Sequence, residues 1–197
     1  MDEDNTLEEL TSLFEHLFGG NPTSTEEQKL ESKPALSSFE DNNDSFQCPI
    51  KTSWKNIGVF SPGVQTDKHH VKGHDGIDMQ APKGTPIYPI GPGVVVRAGS
   101  SEEGGNYVTT SHLNGLVTAY YAHCNEVHVK AGDKVTNGTS IATVGNTGNA
   151  KGTSAHLHLE VKKNGSLIDP QQIFGEPINL KFSLLREIDL FYKKAFR

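Results

Sequence analysis

Between Phe46 and Phe174 no apolar run is long, and Gly, Asn, Pro or Asp breaks the chain every eight to twelve residues. The runs GVVVRAG, NYVTTSH, GLVTAYYAH, TSIATVG and HLHLEV are rich in β-branched and aromatic side chains. Such side chains suit a pleated, half-buried surface, and turn residues at that spacing close hairpins. The texture therefore predicts an all-β body. Asn114-Gly115 and Asn164-Gly165 mark two-residue hairpin turns, because both central positions of such turns need positive φ. No internal repeat is visible.

The flanks read differently. Leu7, Leu10, Leu13, Phe14, Leu17 and Phe18 recur at three- and four-residue steps. This gives one apolar stripe on a helix, with Asn5 or Thr6 to cap it and Gly19-Gly20 to end it. Residues 21–45 are polar and have little to bury, as in a flexible linker. From 176 to 197 the spacing turns helical again, with Leu184, Leu185, Ile188, Phe191 and Ala195 on one face. The expected organisation is thus a helix over 1–20 that docks onto a protein partner or onto its own domain, an acidic linker over 21–45, a β domain over 46–175 and a helical extension over 176–197.

Charge follows the same division. Residues 1–45 hold twelve acidic groups against Lys29 and Lys33, a net of −10, which leaves +4 on the rest of a chain whose total is −6. A mildly basic body favours an anionic surface such as a cell wall. Nothing predicts a nucleic-acid partner: the turn Gly145-Asn146-Thr147-Gly148 lacks the Lys and helix of a phosphate loop and reads as a groove edge. No window approaches the roughly 20 apolar residues of a membrane span. The start MDEDNTLEEL lacks the basic, then apolar, pattern of a secretory signal, so delivery by a virion, by lysis or by another secretion apparatus is expected. The two cysteines, Cys48 and Cys124, form no CxxC pair and read as unlinked buried thiols.

Chemistry concentrates in a few of the nine histidines. In GHDGIDMQAP, His74 and Asp78 stand four apart, and Gly73, Gly76 and Pro82 argue for an extended segment in which period two still brings them to one face. Both are good ligands for Zn²⁺. In AHLHLEV, strand parity sends His156, His158 and Glu160 to one face and Leu157, Leu159 and Val161 to the core. Glu160 can then accept the spare ring proton of a ligating imidazole and fix its tautomer. In Tyr120-Tyr121-Ala122-His123, parity puts Tyr121 and His123 on one face. His16, His69, His70, His112 and His128 read as helix, loop, hairpin or solvent-facing residues.

In order, spacing and context, HDGIDMQAPKGTPI, GPGVV, YYAH, GDKVTNGTSIATVGNTG and HLHLEVKKNG with Asp169-Pro170 resemble the lysostaphin-type zinc endopeptidases of bacterial cell walls. The resemblance covers residues 69–174. It implies a mainly β fold, an antiparallel two-sheet domain with a substrate groove, flanked here by short N- and C-terminal helices. It also implies one zinc held by His74, Asp78 and His158, with His156 and His123 as catalytic histidines and Tyr121 and Glu160 as supporting groups. The implied substrate is the stem or cross-bridge peptide of peptidoglycan, reached at the cell wall or periplasm by a phage- or particle-associated lysin. Three protein ligands would leave a fourth position for water, the mark of a catalytic site. The rival expectation is a non-catalytic adaptor or activator that uses the same β fold to bind a partner; no metal or catalytic position is substituted in its favour.

Overall fold

A computed structural model describes residues 45–64, 73–176 and 178 of the 197-residue chain. Apart from residues 45, 176 and 178, the expected N-terminal helix, linker and C-terminal helix lie outside the described residues, as do His16, His69 and His70. Among the described residues, no helix is long and apolar enough to cross a membrane.

The strands are β1 (Lys55–Gly58), β2 (Ser61–Pro62), β3 (Gly73–His74), β4 (Ile77–Gln80), β5 (Pro86–Ile87) and β6 (Gly93–Ser101). After them come β7 (Gly105–His112), β8 (Val117–Cys124), β9 (Lys134–Val135), β10 (Ala142–Thr143), β11 (His156–Lys163) and β12 (Ser166–Ile168). The main sheet runs β1-β4-β11-β8-β7-β6-β9, with β12 also paired to β11, and β5-β10 and β2-β3 form two-stranded sheets. Among the described residues every strand pairing is antiparallel. The mainly β, antiparallel architecture is the expected one, resolved into one large sheet and two small ones.

Asn164 and Gly165 close the β11–β12 hairpin with φ of 56° and 81°, the two-residue turn their sequence predicts. The β7–β8 turn departs from expectation. It spans residues 113–116, and Leu113, Asn114 and Gly115 all take positive φ (47°, 51° and 85°). The extra residues leave β8 starting at Val117, opposite His112.

One face of the main sheet carries the core. Leu157, Leu159 and Val161 of β11, Ile77 and Met79 of β4, and Val117, Ala119 and Tyr121 of β8 are buried there. Ile87, Ile90, Ile141, Ala142 and Val144, from β5, β10 and the segments beside them, belong to the same cluster. Each such aliphatic side chain contributes about 1.5–3 kcal/mol by leaving water. A one-residue slip of β11 would expel its aliphatic row and bury two histidines and a glutamate, so the core fixes the register on which the site depends. The ends of this body are stapled together: Phe46 N–H donates to the Glu176 carbonyl (2.9 Å), and Gly175 N–H donates to the Phe46 carbonyl (2.7 Å). Neither cysteine is in a disulfide; Cys124 is buried, whereas Cys48 is only half-buried.

His112 does more than support a turn. Its ring is 1% exposed and lies edge-on to Phe46. Its Nδ1–H donates to the Pro92 carbonyl (2.9 Å), and its Nε2 accepts from the Thr110 hydroxyl (2.7 Å). Burial lowers its pKa to about 4, against the opposing pull of the Pro92 and Gly91 carbonyls. The folded pKa lies below the unfolded value of about 6.5, so the unfolded chain takes up the proton first. Stability should be complete above about pH 6.5 and fall by about 3 kcal/mol as pH drops towards 4. Urea unfolding of the wild type and His112→Gln between pH 7 and 4 checks this: the wild type should lose more stability than the variant over that window, and parallel curves would refute it.

Candidate metal and catalytic site

The opposite face of the main sheet gathers the chemistry. On β11, His156, His158 and Glu160 alternate with the buried leucines, and the register sets His158 opposite Asp78 of β4 and Ala122 of β8. His74 arrives from β3, and a bend at Asp75-Gly76 separates it from Asp78. Gly76 is required at that bend, because a Cβ there would run into the Leu159 carbonyl oxygen. The HxxxD spacing is therefore used across a bend between two strands, not along one continuous strand.

Three ligand atoms converge. Nε2 of His74 lies 3.1 Å from Oδ1 of Asp78 and 3.0 Å from Nδ1 of His158, and that Nδ1 lies 2.9 Å from the same Oδ1. Bonds of about 2.0–2.1 Å to a tetrahedral zinc put neighbouring donor atoms roughly 3.3 Å apart, so the spacing suits that ion. The tautomers suit it as well. His74 Nδ1 is 2.9 Å from the Val59 carbonyl, and His158 Nε2 is 3.2 Å from Glu160 Oε1. Both acceptors suit a ring proton on the outer nitrogen, the tautomer that would leave the inner lone pairs for a metal.

Two imidazole lone pairs and a carboxylate, all nearly buried, form a cluster that requires positive charge. Burial opposes charge on His158, yet its contacts with Asp78 and Glu160 prevail and raise its pKa to about 9. Burial would likewise raise Asp78, but hydrogen bonds from His158 and His74 hold it far below the carboxylate range. Glu160 is lowered chiefly by its hydrogen bond from His158. The His74, Asp78 and His158 set is the group of possible metal ligands found among the described residues.

Two more imidazoles border the cluster. His156 Nε2 stands 4.0 Å from Asp78 Oδ1, and its Nδ1–H donates to the Ser154 carbonyl (2.8 Å). The His123 ring centre is 5.0 Å from that of His156 and 5.8 Å from that of His158. Its Nδ1–H donates to the Thr147 carbonyl (3.1 Å), which leaves the lone pair on Nε2. Burial, reinforced by the neighbouring imidazoles, lowers its pKa to about 4 and keeps it neutral near pH 7. Together with Glu160, the five expected metal and catalytic residues thus come together.

Tyr121 does not join them. Period-two alternation places it beside His123, but His123 has φ +61°, a left-handed conformation that breaks the alternation. Holding a non-glycine residue there costs on the order of 1–3 kcal/mol. Tyr121 instead points into the core, fully buried, where its hydroxyl accepts from Ile90 N–H (2.9 Å) and lies 3.3 Å from Thr110 Oγ1. Cross-strand pairing puts Tyr120, not Tyr121, beside Glu160. The placement of Tyr121 at the site is corrected accordingly.

Several contributors escape sequence reasoning. The Val59 and Ser154 carbonyls orient the His74 and His156 rings, and backbone atoms leave no mark in side-chain patterns. Gly58 of β1 also matters: a Cβ there would run into the Asp78 carboxylate and crowd His74. Only the glycine itself hinted at that close approach.

The profile of peptidase family M23 matches residues 72–170, half of the chain. The chain belongs to this family. Peptidoglycan DD-endopeptidase ShyA of Vibrio cholerae is 36% identical over 133 residues, which cover 64% of this chain and 30% of that protein. The crystal structure of a zinc-containing peptidase from Vibrio cholerae superposes with a TM-score of 0.57 and 29% identity over 64% of this chain and 39% of that one. The catalytic domain of lysostaphin from Staphylococcus simulans gives a TM-score of 0.52 and 29% identity, covering 60% of this chain and 90% of that one. The chain spans about a third of the length of ShyA, so the likeness concerns the peptidase body.

Proposed function

We propose that this chain is a zinc-dependent endopeptidase that hydrolyses peptide bonds in the stems or cross-bridges of bacterial peptidoglycan, acting at the cell wall. The carrying observation is the convergence of His74 Nε2, Asp78 Oδ1 and His158 Nδ1 within 3.1 Å of one another, with both ligand imidazoles anchored through their outer nitrogens. Family membership and the identity with ShyA support the substrate class. A complete ligand set beside two further histidines favours this reading over that of an adaptor.

A zinc ion on these three ligands would act as a Lewis acid and make hydroxide available near pH 7. The protein's own part is positioning and proton transfer. His156, held by Ser154, presents Nε2 towards the cluster and is the closer partner for a reacting water. His123, neutral near pH 7, is placed to take up a proton or to return one to the leaving amine. Glu160 and the Val59 carbonyl keep the ligand rings from turning.

The test is digestion of purified peptidoglycan of several wall types by the full chain, with and without a chelator, with fragments identified by mass. Release of stem or cross-bridge peptides that the chelator abolishes and added zinc restores is expected. Intact walls together with zinc-loaded protein would favour the adaptor. The apolar stripe of residues 1–20 supports their reading as a docking segment for a phage or other particle.

A further inference from the structure

The loop after β10 does more than connect two strands. It touches both histidines that flank the metal ligands. His156 N–H donates to the Gly145 carbonyl (2.9 Å), and two residues further on Thr147 engages His123. Thr147 is committed through both main-chain groups and its side chain. Its carbonyl accepts the His123 Nδ1–H (3.1 Å), and its N–H donates to the His123 carbonyl (3.4 Å). Its hydroxyl donates to the Cys124 carbonyl (2.8 Å) and accepts from Asn106 N–H (2.9 Å).

These contacts fall where the β7–β8 ladder opens. Asn106 and Cys124 are paired across the two strands, and the register is irregular between Asn106 and Val108. At the same point His123 takes φ +61°, with its N–H donating to the Gly104 carbonyl (2.8 Å). A left-handed residue withdraws its neighbours' polar groups from the ladder, and a buried polar group needs a replacement partner. The Thr147 hydroxyl is that replacement for both strands. Its fixed position then aims the Thr147 carbonyl at the imidazole and selects the tautomer with the proton on Nδ1.

We propose that Thr147 is the positioning residue for His123: its hydroxyl locks the opened β7–β8 ladder, and its carbonyl sets the tautomer that leaves Nε2 for proton transfer. The inference rests on the reading of His123 as a catalytic group, and a double-mutant cycle separates the two. In the full chain, Thr147→Val keeps the branched shape and removes the hydroxyl. Its kcat on purified peptidoglycan should fall about 10- to 100-fold, the scale of a small misplacement of a reacting group. KM and zinc content should stay as in the wild type, and Thr147→Ser should recover most of the rate.

In a His123→Ala background the same Thr147→Val change should cost less than about twofold, because a positioning effect needs its target. An equal loss in both backgrounds, or wild-type kcat in Thr147→Val, overturns the positioning role. Wild-type kcat in His123→Ala would instead remove the catalytic reading on which it rests. If Thr147→Val does not fold, Thr147→Ala takes its place in the cycle.

Discussion

His158→Ala should lose zinc and, with it, wall hydrolysis. Removing a group that merely orients a metal ligand costs about 10- to 100-fold in affinity, so deleting a ligand should cost more than about 100-fold. His158 is the most exacting choice because its Nδ1 touches both other ligand atoms, at 3.0 and 2.9 Å, while its Nε2 is bound to Glu160. Substitution therefore leaves the buried Asp78 carboxylate and the partly buried Glu160 carboxylate without the imidazole between them. Two readouts check the outcome: metal per chain after dialysis against micromolar zinc, and the rise in Tm on adding zinc, which binding to the folded state alone produces. Both should vanish in His158→Ala and persist in His156→Ala. A His158→Ala protein that holds one zinc per chain would show that the cluster is not the metal site.

That His156, His158 and Glu160 share one face follows from strand geometry, whereas the choice of His74, Asp78 and His158 as a ligand set rests on the resemblance to the endopeptidases. HLHLEV has period two, its odd-numbered members Leu157, Leu159 and Val161 must be buried, and so His156, His158 and Glu160 share the other face. Nothing long-range is needed for that step. Tyr121 fails under the same rule because the rule assumes an unbroken strand, and His123 at φ +61° ends it one residue too early for parity to carry. A left-handed residue that is neither Gly nor Asn has no local signal, since it is held by groups distant in sequence: Gly104, and Thr147, which stands 24 positions away. His112 was legible as a turn-side residue but not as a core one, because its partners Pro92 and Phe46 are brought to it by the fold. The glycine-rich turn at 145–148 was legible as a loop, whereas its hold on two catalytic candidates depends on the Gly145–His156 bridge across the fold.

The two flanking histidines should separate from the ligands in the opposite sense. His156→Ala and His123→Ala should each retain zinc and lose about 10²- to 10⁴-fold in kcat, the range that positioned proton transfer contributes. The geometry ranks them. His156 sits on a regular strand, its ring fixed by Ser154 and its Nε2 4.0 Å from Asp78 Oδ1, so it lies against the ligand cluster. His123 contacts the cluster through ring packing on His156 and His158 and depends on a left-handed backbone for its place. The larger kcat loss is therefore expected for His156→Ala. His123→Ala should additionally gain folded-state stability from relief of a buried neutral imidazole below about pH 6, where the unfolded chain takes up its proton and the folded chain, held near 4, does not. Single-turnover rates, zinc content and urea unfolding at pH 7 and pH 5 for both variants decide the matter. Loss of zinc in either one would move that histidine into the ligand set, and undiminished rates in both would leave the proton-transfer assignment without support.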